Sequence, residues 1–138
     1  MVNVCVDRVG IDPETQQAVV LLKDKEGKRI LPIWIGPAEA SAIALSLQGI
    51  SAPRPLTCDL LKDVLDLFEA RMIAAVVTEL KNETFYANIV LDTGLRKVEV
   101  DSRPSDAIAL ALRTGAPVYV EEEVLNKAGL PFSDHTVQ

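Results

Sequence analysis

Asp101-Ser102-Arg103-Pro104-Ser105-Asp106-Ala107-Ile108-Ala109-Leu110-Ala111-Leu112-Arg113-Thr114-Gly115-Ala116-Pro117-Val118 carries two signals in one stretch. Ser102, Arg103, Ser105 and Asp106 crowd polar chemistry into the start of a helix, and the six residues Ala107 to Leu112 then run without a polar side chain. A helix that is apolar on every side belongs in an interior rather than on a surface. The fold must therefore wrap residues 104–114, closed by Gly115, with other elements. It must also leave a charged corner where a strand hands over to that helix, a common place to hold an anion or a reacting group.

Working outward, Val2, Val4 and Val6 alternate with Asn3, Cys5 and Asp7, which predicts a half-buried first strand. The parity shifts at Val9 and Ile11, so a bulge is expected near Asp7-Arg8. Ala18 to Leu22 reads as a central strand after the Asp12-Pro13-Glu14 turn. Residues 29–35 form a third strand, placed at an edge or bulged because Pro32 cannot donate to a ladder. Pro37 and Glu39 favour a helix start, and Gly49 ends that helix after Gln48. A second helix is expected from a Thr57 cap to about Ala70, with Leu60, Leu61, Val64, Leu67 and Phe68 on one apolar face. Residues 72–80, 85–91 and 95–101 read as three more strands, joined at Asn82-Glu83 and at Asp92-Thr93-Gly94. Residues 118–120 make a last short strand and residues 121–128 a short helix, and the tail after Gly129 has no pattern.

These elements predict one α+β domain over residues 1–128 with a C-terminal tail, 129–138. Its sheet is mixed but mainly antiparallel, with about seven strands and three to four helices. Ala42-Ile43-Ala44-Leu45-Ser46-Leu47 matches Ala107 to Leu112, and each copy follows three strands and ends in Gly. A βββα duplication accounts for this, and so does chance similarity between Ala/Leu helices.

The chain has 138 residues, enough for one domain with a sizeable core. Its net charge is −6, and its 14 Lys and Arg form no basic run, which argues against tight nonspecific nucleic-acid binding. A nucleic-acid substrate would need a local arginine site or a metal bridging carboxylates to phosphate. The N-terminus lacks the pattern of a signal peptide, and no apolar stretch reaches the length of a membrane span. Two cysteines, Cys5 and Cys58, are too few for a disulfide framework and are read as free thiols in a reducing cytoplasm.

Two segments share a local grammar. Arg54-Pro55-Leu56-Thr57-Cys58-Asp59 precedes the second helix, and Arg103-Pro104-Ser105-Asp106 opens the buried one. Each offers a guanidinium, a hydroxyl and a carboxylate at a helix N-terminus. That set can grip a phosphate or carboxylate, or it can serve as a cap with an ion pair. Asp59, Asp63 and Asp66 share a helix face that could hold a divalent cation or simply meet water. Glu39 stands out in the first turn of an alanine-lined helix. Cys58 is either a reactive thiol or an inert buried one. His135 is the only histidine and lies in the tail, so a His-based acid–base pair and a His-rich zinc site are both excluded. No Walker loop or Gly-x-Gly-x-x-Gly fingerprint is present.

Three blocks in this order, Leu31-Pro-Ile-Trp-Ile-Gly36 before an Ala-rich helix, Arg54-Pro-Leu-Thr-Cys-Asp-Leu60, and Asp101-Ser-Arg-Pro-Ser-Asp-Ala107 with Thr114-Gly-Ala-Pro117, resemble the bifunctional nuclease domain family over about residues 2–128. The resemblance implies a compact α+β domain, often a homo-oligomer, with activity on both RNA and DNA. The family commonly has His where this chain has Cys58, so a family His acting as base would be missing here.

The first functional expectation is a nuclease that hydrolyses phosphodiesters. Arg54 and Arg103, with Thr57 and Ser105, would bind substrate. Glu39, Asp59 and Asp106 would orient water or bind Mg²⁺, because cleavage without His favours metal assistance. This requires the two Arg-Pro segments to converge. The alternative is a non-catalytic module in which the same cluster binds an anion or a partner chain. A third reading makes these residues locks on the fold, with function at an oligomer interface.

Overall fold

Alternation of buried and exposed residues builds two three-stranded antiparallel meanders. The structure, a computed structural model, describes residues 1–131, and His135 lies outside the described residues. The first meander comprises Val2–Ile11 (β1), Ala18–Asp24 (β2) and Arg29–Ile35 (β3). Its β1–β2 register shifts between Val6 and Arg8, the bulge expected from the change of parity. Pro37–Leu47 (α1) and Thr57–Leu67 (α2) follow. The second meander comprises Arg71–Lys81 (β4), Thr84–Asp92 (β5) and Lys97–Ser102 (β6), leading into Pro104–Thr114 (α3). Val118–Val120 (β7), Glu122–Ala128 (α4) and Leu130–Pro131 (β8) complete the described residues.

All eight strands lie in one sheet, ordered β6-β5-β4-β7-β1-β2-β3-β8. β7 joins the two meanders, running parallel to β4 and antiparallel to β1. The expected α+β class, mainly antiparallel and mixed, is the observed one, with one strand more than expected. That strand, β8, falls in the tail that showed no pattern. Two residues are too short to display alternation, and they form a strand only because Leu130 and Pro131 pair with Ile30 and Arg29. Pro32 lies beyond this pairing, on the open side of β3, where its missing N–H costs nothing. The order βββα occurs twice, and α1 and α3 pack against each other.

The turns obey local chemistry. Asn82 and Glu83 both take left-handed backbone conformations, φ 51° and 64°, and close β4 onto β5 in a two-residue hairpin whose twist suits the strands. Gly115 sits at φ 80° after α3, a conformation a side chain would strain.

Residues 107–111 behave as their composition demands. Ala107 through Ala111 are all buried, with Ile108 at 0% and Leu110 at 1% exposure. Burying each of these two large side chains contributes about 1.5–3 kcal/mol. They pack with Val20, Leu22, Ile43, Val77 and Val120 in one core cluster.

The second helix departs from expectation in two ways. Its N-cap is Leu56, with Thr57 the first helical residue, and the helix ends at Leu67, where Phe68 is the C-cap and Glu69 turns left-handed. More consequentially, its apolar ridge faces water. Leu67 is 80% and Phe68 78% exposed, and Leu60 and Val64 are exposed with them, while Cys58 and partly Leu65 join the core. Periodicity identifies which residues share a face but not what that face meets.

Candidate functional site

A cleft of about 830 Å³ opens where the first turns of α1, α2 and α3 meet the end of β6. Ala38 and Glu39 come from α1, Thr57 and Cys58 from α2, and Ser105 and Asp106 from α3, with Asp101, Ser102 and Arg103 from the β6–α3 corner. Its wall is apolar, built from residues such as Ala42, Leu45, Leu61 and Ile89. The short side chains of α1 let it pack closely on α3, which brings their two N-termini to one opening. N-terminal amides carry partial positive charge. No side chain caps α1 or α3.

Arg103 is the hub. Its Nε and Nη2 donate to the two carboxylate oxygens of Asp106 at 2.8 and 3.1 Å, and its Nη1 lies 3.6 Å from Glu39. The Asp106 hydrogen bonds, aided by both carboxylate charges, hold the guanidinium above its ordinary pKa. The Arg103 side chain is 65% exposed, so water screens this pairing and a competing anion can reach it. Glu39, 24% exposed, folds back over Gly36, where an added Cβ would collide with its carboxylate.

Of the expected site residues, Glu39, Thr57, Arg103, Ser105 and Asp106 all line this one cleft. Ser105 is buried to 6% exposure, so its hydroxyl belongs to the wall. Arg54 is exposed and is not part of the lining, so the two Arg-Pro segments meet through Thr57 and Cys58 rather than through both arginines. Asp59 is also absent from the lining. Its Oδ2 accepts the Leu56 N–H at 3.0 Å, and its Oδ1 lies 3.0 Å from Nε of Arg113.

Arg113 is the residue that sequence reasoning missed. Its side chain is 13% exposed, its Nε also donates to Sγ of Cys58 at 3.5 Å, and its Nη2 is buried with no hydrogen-bond partner among the described residues. The available signal was a charge directly after the apolar run Ala107 to Leu112. Cys58 is thus a buried free thiol beside a guanidinium, and Cys5 is a free exposed one.

The carboxylates do not suit a metal. Among the described residues no three His, Cys, Asp or Glu side chains come together as ligands, so the Asp59, Asp63 and Asp66 face forms no such group. Between Glu39 and Asp106, where a divalent ion would bridge, the Arg103 guanidinium already sits. Mg²⁺ demands near-octahedral oxygen ligation, which this arrangement does not supply.

A bifunctional nuclease domain profile matches residues 20–133, and the chain belongs to that family. An uncharacterised protein of Mycobacterium tuberculosis is 43% identical over 136 residues, covering 99% of this chain and 81% of that protein. Bifunctional nuclease 2 of Arabidopsis thaliana is 27% identical over 123 residues, and bifunctional nuclease 1 of Oryza sativa subsp. japonica is 24% identical over 122. Each match spans 37% of the plant protein. No helix among the described residues is long and apolar enough to cross a membrane.

Proposed function

We propose that this domain binds nucleic acid at the cleft between α1, α2 and α3 and hydrolyses its phosphodiester bonds there. The observation that carries the reading is the meeting of three helix N-termini and Arg103 on one opening. A phosphate arriving at the corner would exchange with Asp106 for the two-pronged guanidinium. The free amides of the first turn of α3 would stabilise charge developing on the phosphate oxygens. The displaced Asp106 carboxylate, or Glu39 beside it, would then accept a proton from the attacking water, and the departing sugar oxygen would take up a proton from solvent as its P–O bond breaks. In this scheme Arg103 and Ser105 bind, Glu39 and Asp106 react, Thr57 lines the rim, and Asp59 positions α2.

A second reading, a non-catalytic anion- or partner-binding module, is favoured by one specific observation. Arg103 is already paired with two carboxylates, and Asp101 adds a third acidic group to the lining. Nuclease assays on highly purified protein with RNA and DNA, with and without EDTA, separate the two. Arg103→Ala should cost at least about 100-fold in kcat/KM, in line with the loss of one preorganised charge donor. Asp106→Asn should free the guanidinium, tightening phosphate binding while lowering kcat. Cleavage that survives both substitutions would remove the cleft from the reaction.

The exposed ridge Leu60, Val64, Leu67 and Phe68 supports self-association of this domain, since soluble monomers rarely leave large apolar patches bare. A reducing, cytoplasmic setting is part of the same proposal, resting on the two free thiols.

A further inference from the structure

Trp34 is the only tryptophan of the chain, and it is 54% exposed. Strand alternation explains the exposure locally, because Ile33 points into the core at 3% and Trp34 must point the other way. It does not explain why an indole stands there. The sheet curls far enough for the end of β3 and the start of β5 to line one groove of about 620 Å³, although they are far apart in strand order. Trp34 and Phe85 supply its aromatic surface, and Gln17, Glu83 and Thr84 supply its polar rim. Glu39, Arg103 and Ser105 line this groove as well as the cleft, so the two openings share the Arg103 corner.

We propose that this groove is a nucleobase subsite, in which a base of single-stranded nucleic acid stacks on Trp34 while the adjoining phosphate is held at Arg103. The inference rests on the reading of the cleft as a phosphodiester site and deepens it by naming the substrate class. An aromatic face beside an arginine is the combination that holds single strands without sequence preference. The Glu83 carboxylate, which lines the groove and not the cleft, repels phosphate from the groove, so the backbone follows the Arg103 side and the neutral base enters. A base inside a duplex has both faces stacked and cannot enter without being unpaired.

The sole tryptophan reports on the subsite directly. The full chain is titrated with a short oligothymidylate carrying hydrolysis-resistant phosphorothioate linkages, with a matched hairpin duplex, and with inorganic phosphate. The single strand should quench Trp34 emission, and duplex and phosphate should not. With a fluorescein-labelled strand, Trp34→Ala should weaken binding about tenfold, within the range for one stacked base, and Trp34→Phe should retain most of the affinity. Arg103→Ala runs alongside. If the strand binds in an Arg103-dependent way while Trp34 emission and Trp34→Ala affinity stay unchanged, the subsite falls and the cleft stands. If no strand binds and none is cleaved, the cleft reading falls and takes the subsite with it. Equal quenching by duplex overturns the single-strand assignment. A Trp34→Ala variant that loses self-association but binds the strand normally overturns the subsite in favour of a protein contact.

Discussion

Replacing Asp59 with Ala separates a reacting carboxylate from a structural one. In the structure Asp59 accepts the Leu56 N–H at 3.0 Å and lies 3.0 Å from the Arg113 guanidinium. Losing the cap acceptor costs about 1 kcal/mol. Breaking a fully buried ion pair costs about 3–5 kcal/mol, because one charge is left without compensation. Here Asp59 is 28% exposed and Arg113 13%, so water recovers part of that loss. We expect a total near 3 kcal/mol, built from about 1 for the cap and about 2 for the screened pair. For a chain of this size that lowers Tm by roughly 10 °C. Urea titration at neutral pH reads the free energy, and a thermal melt reads Tm. Arg113→Met removes the charge that Asp59 compensates, so the double variant should recover at least about 1 kcal/mol relative to additivity. An Asp59→Ala protein that is as stable as wild type yet inactive would refute this assignment and return Asp59 to the reacting groups.

Leu67→Glu with Phe68→Glu should reduce the solution mass measured by light scattering to that of one chain while leaving Tm nearly unchanged, since both side chains face water within the protomer; a wild type that is already monomeric sinks the interface. At the other end of the sheet, Arg29 donates to both carboxylate oxygens of Glu122 at 2.7 and 3.2 Å and to Asp24 at 3.4 Å, tying β3 to α4. The Arg29 hydrogen bonds lower the Glu122 pKa from its ordinary 4.5, so the contribution is present above that value and disappears as pH falls through the folded one. Glu122→Gln should therefore destabilise near neutral pH and match wild type once pH has fallen below the lowered folded value; an equal gap in urea midpoints at both extremes would show that charge is not responsible.

Legibility followed the range of each interaction. The bulge at Val6–Arg8, the two hairpins and the buried helix were readable because alternation, turn chemistry and an unbroken apolar run act within a few residues. β8 was not, since it exists only through its pairing with β3. In the site, the Arg103–Asp106 pair is a contact between i and i+3 and could be anticipated, whereas Glu39 reaches Arg103 only because α1 packs on α3. Asp59 and Arg54 looked equivalent to Asp106 and Arg103 on paper. Packing separated them by giving Asp59 a partner 54 residues along the chain and leaving Arg54 outside the lining.

By itself, then, the sequence determined the α+β class, the buried α3 and the polar corner ahead of it, because each is set by local backbone preference and by the burial of short apolar runs. Only the tertiary structure decided which carboxylates meet which guanidinium, that the leucine ridge of α2 faces water, and that Trp34 shares a groove with Arg103. Those outcomes depend on how the sheet curls and how three helices dock on it, and that geometry is set by the whole core rather than by any segment.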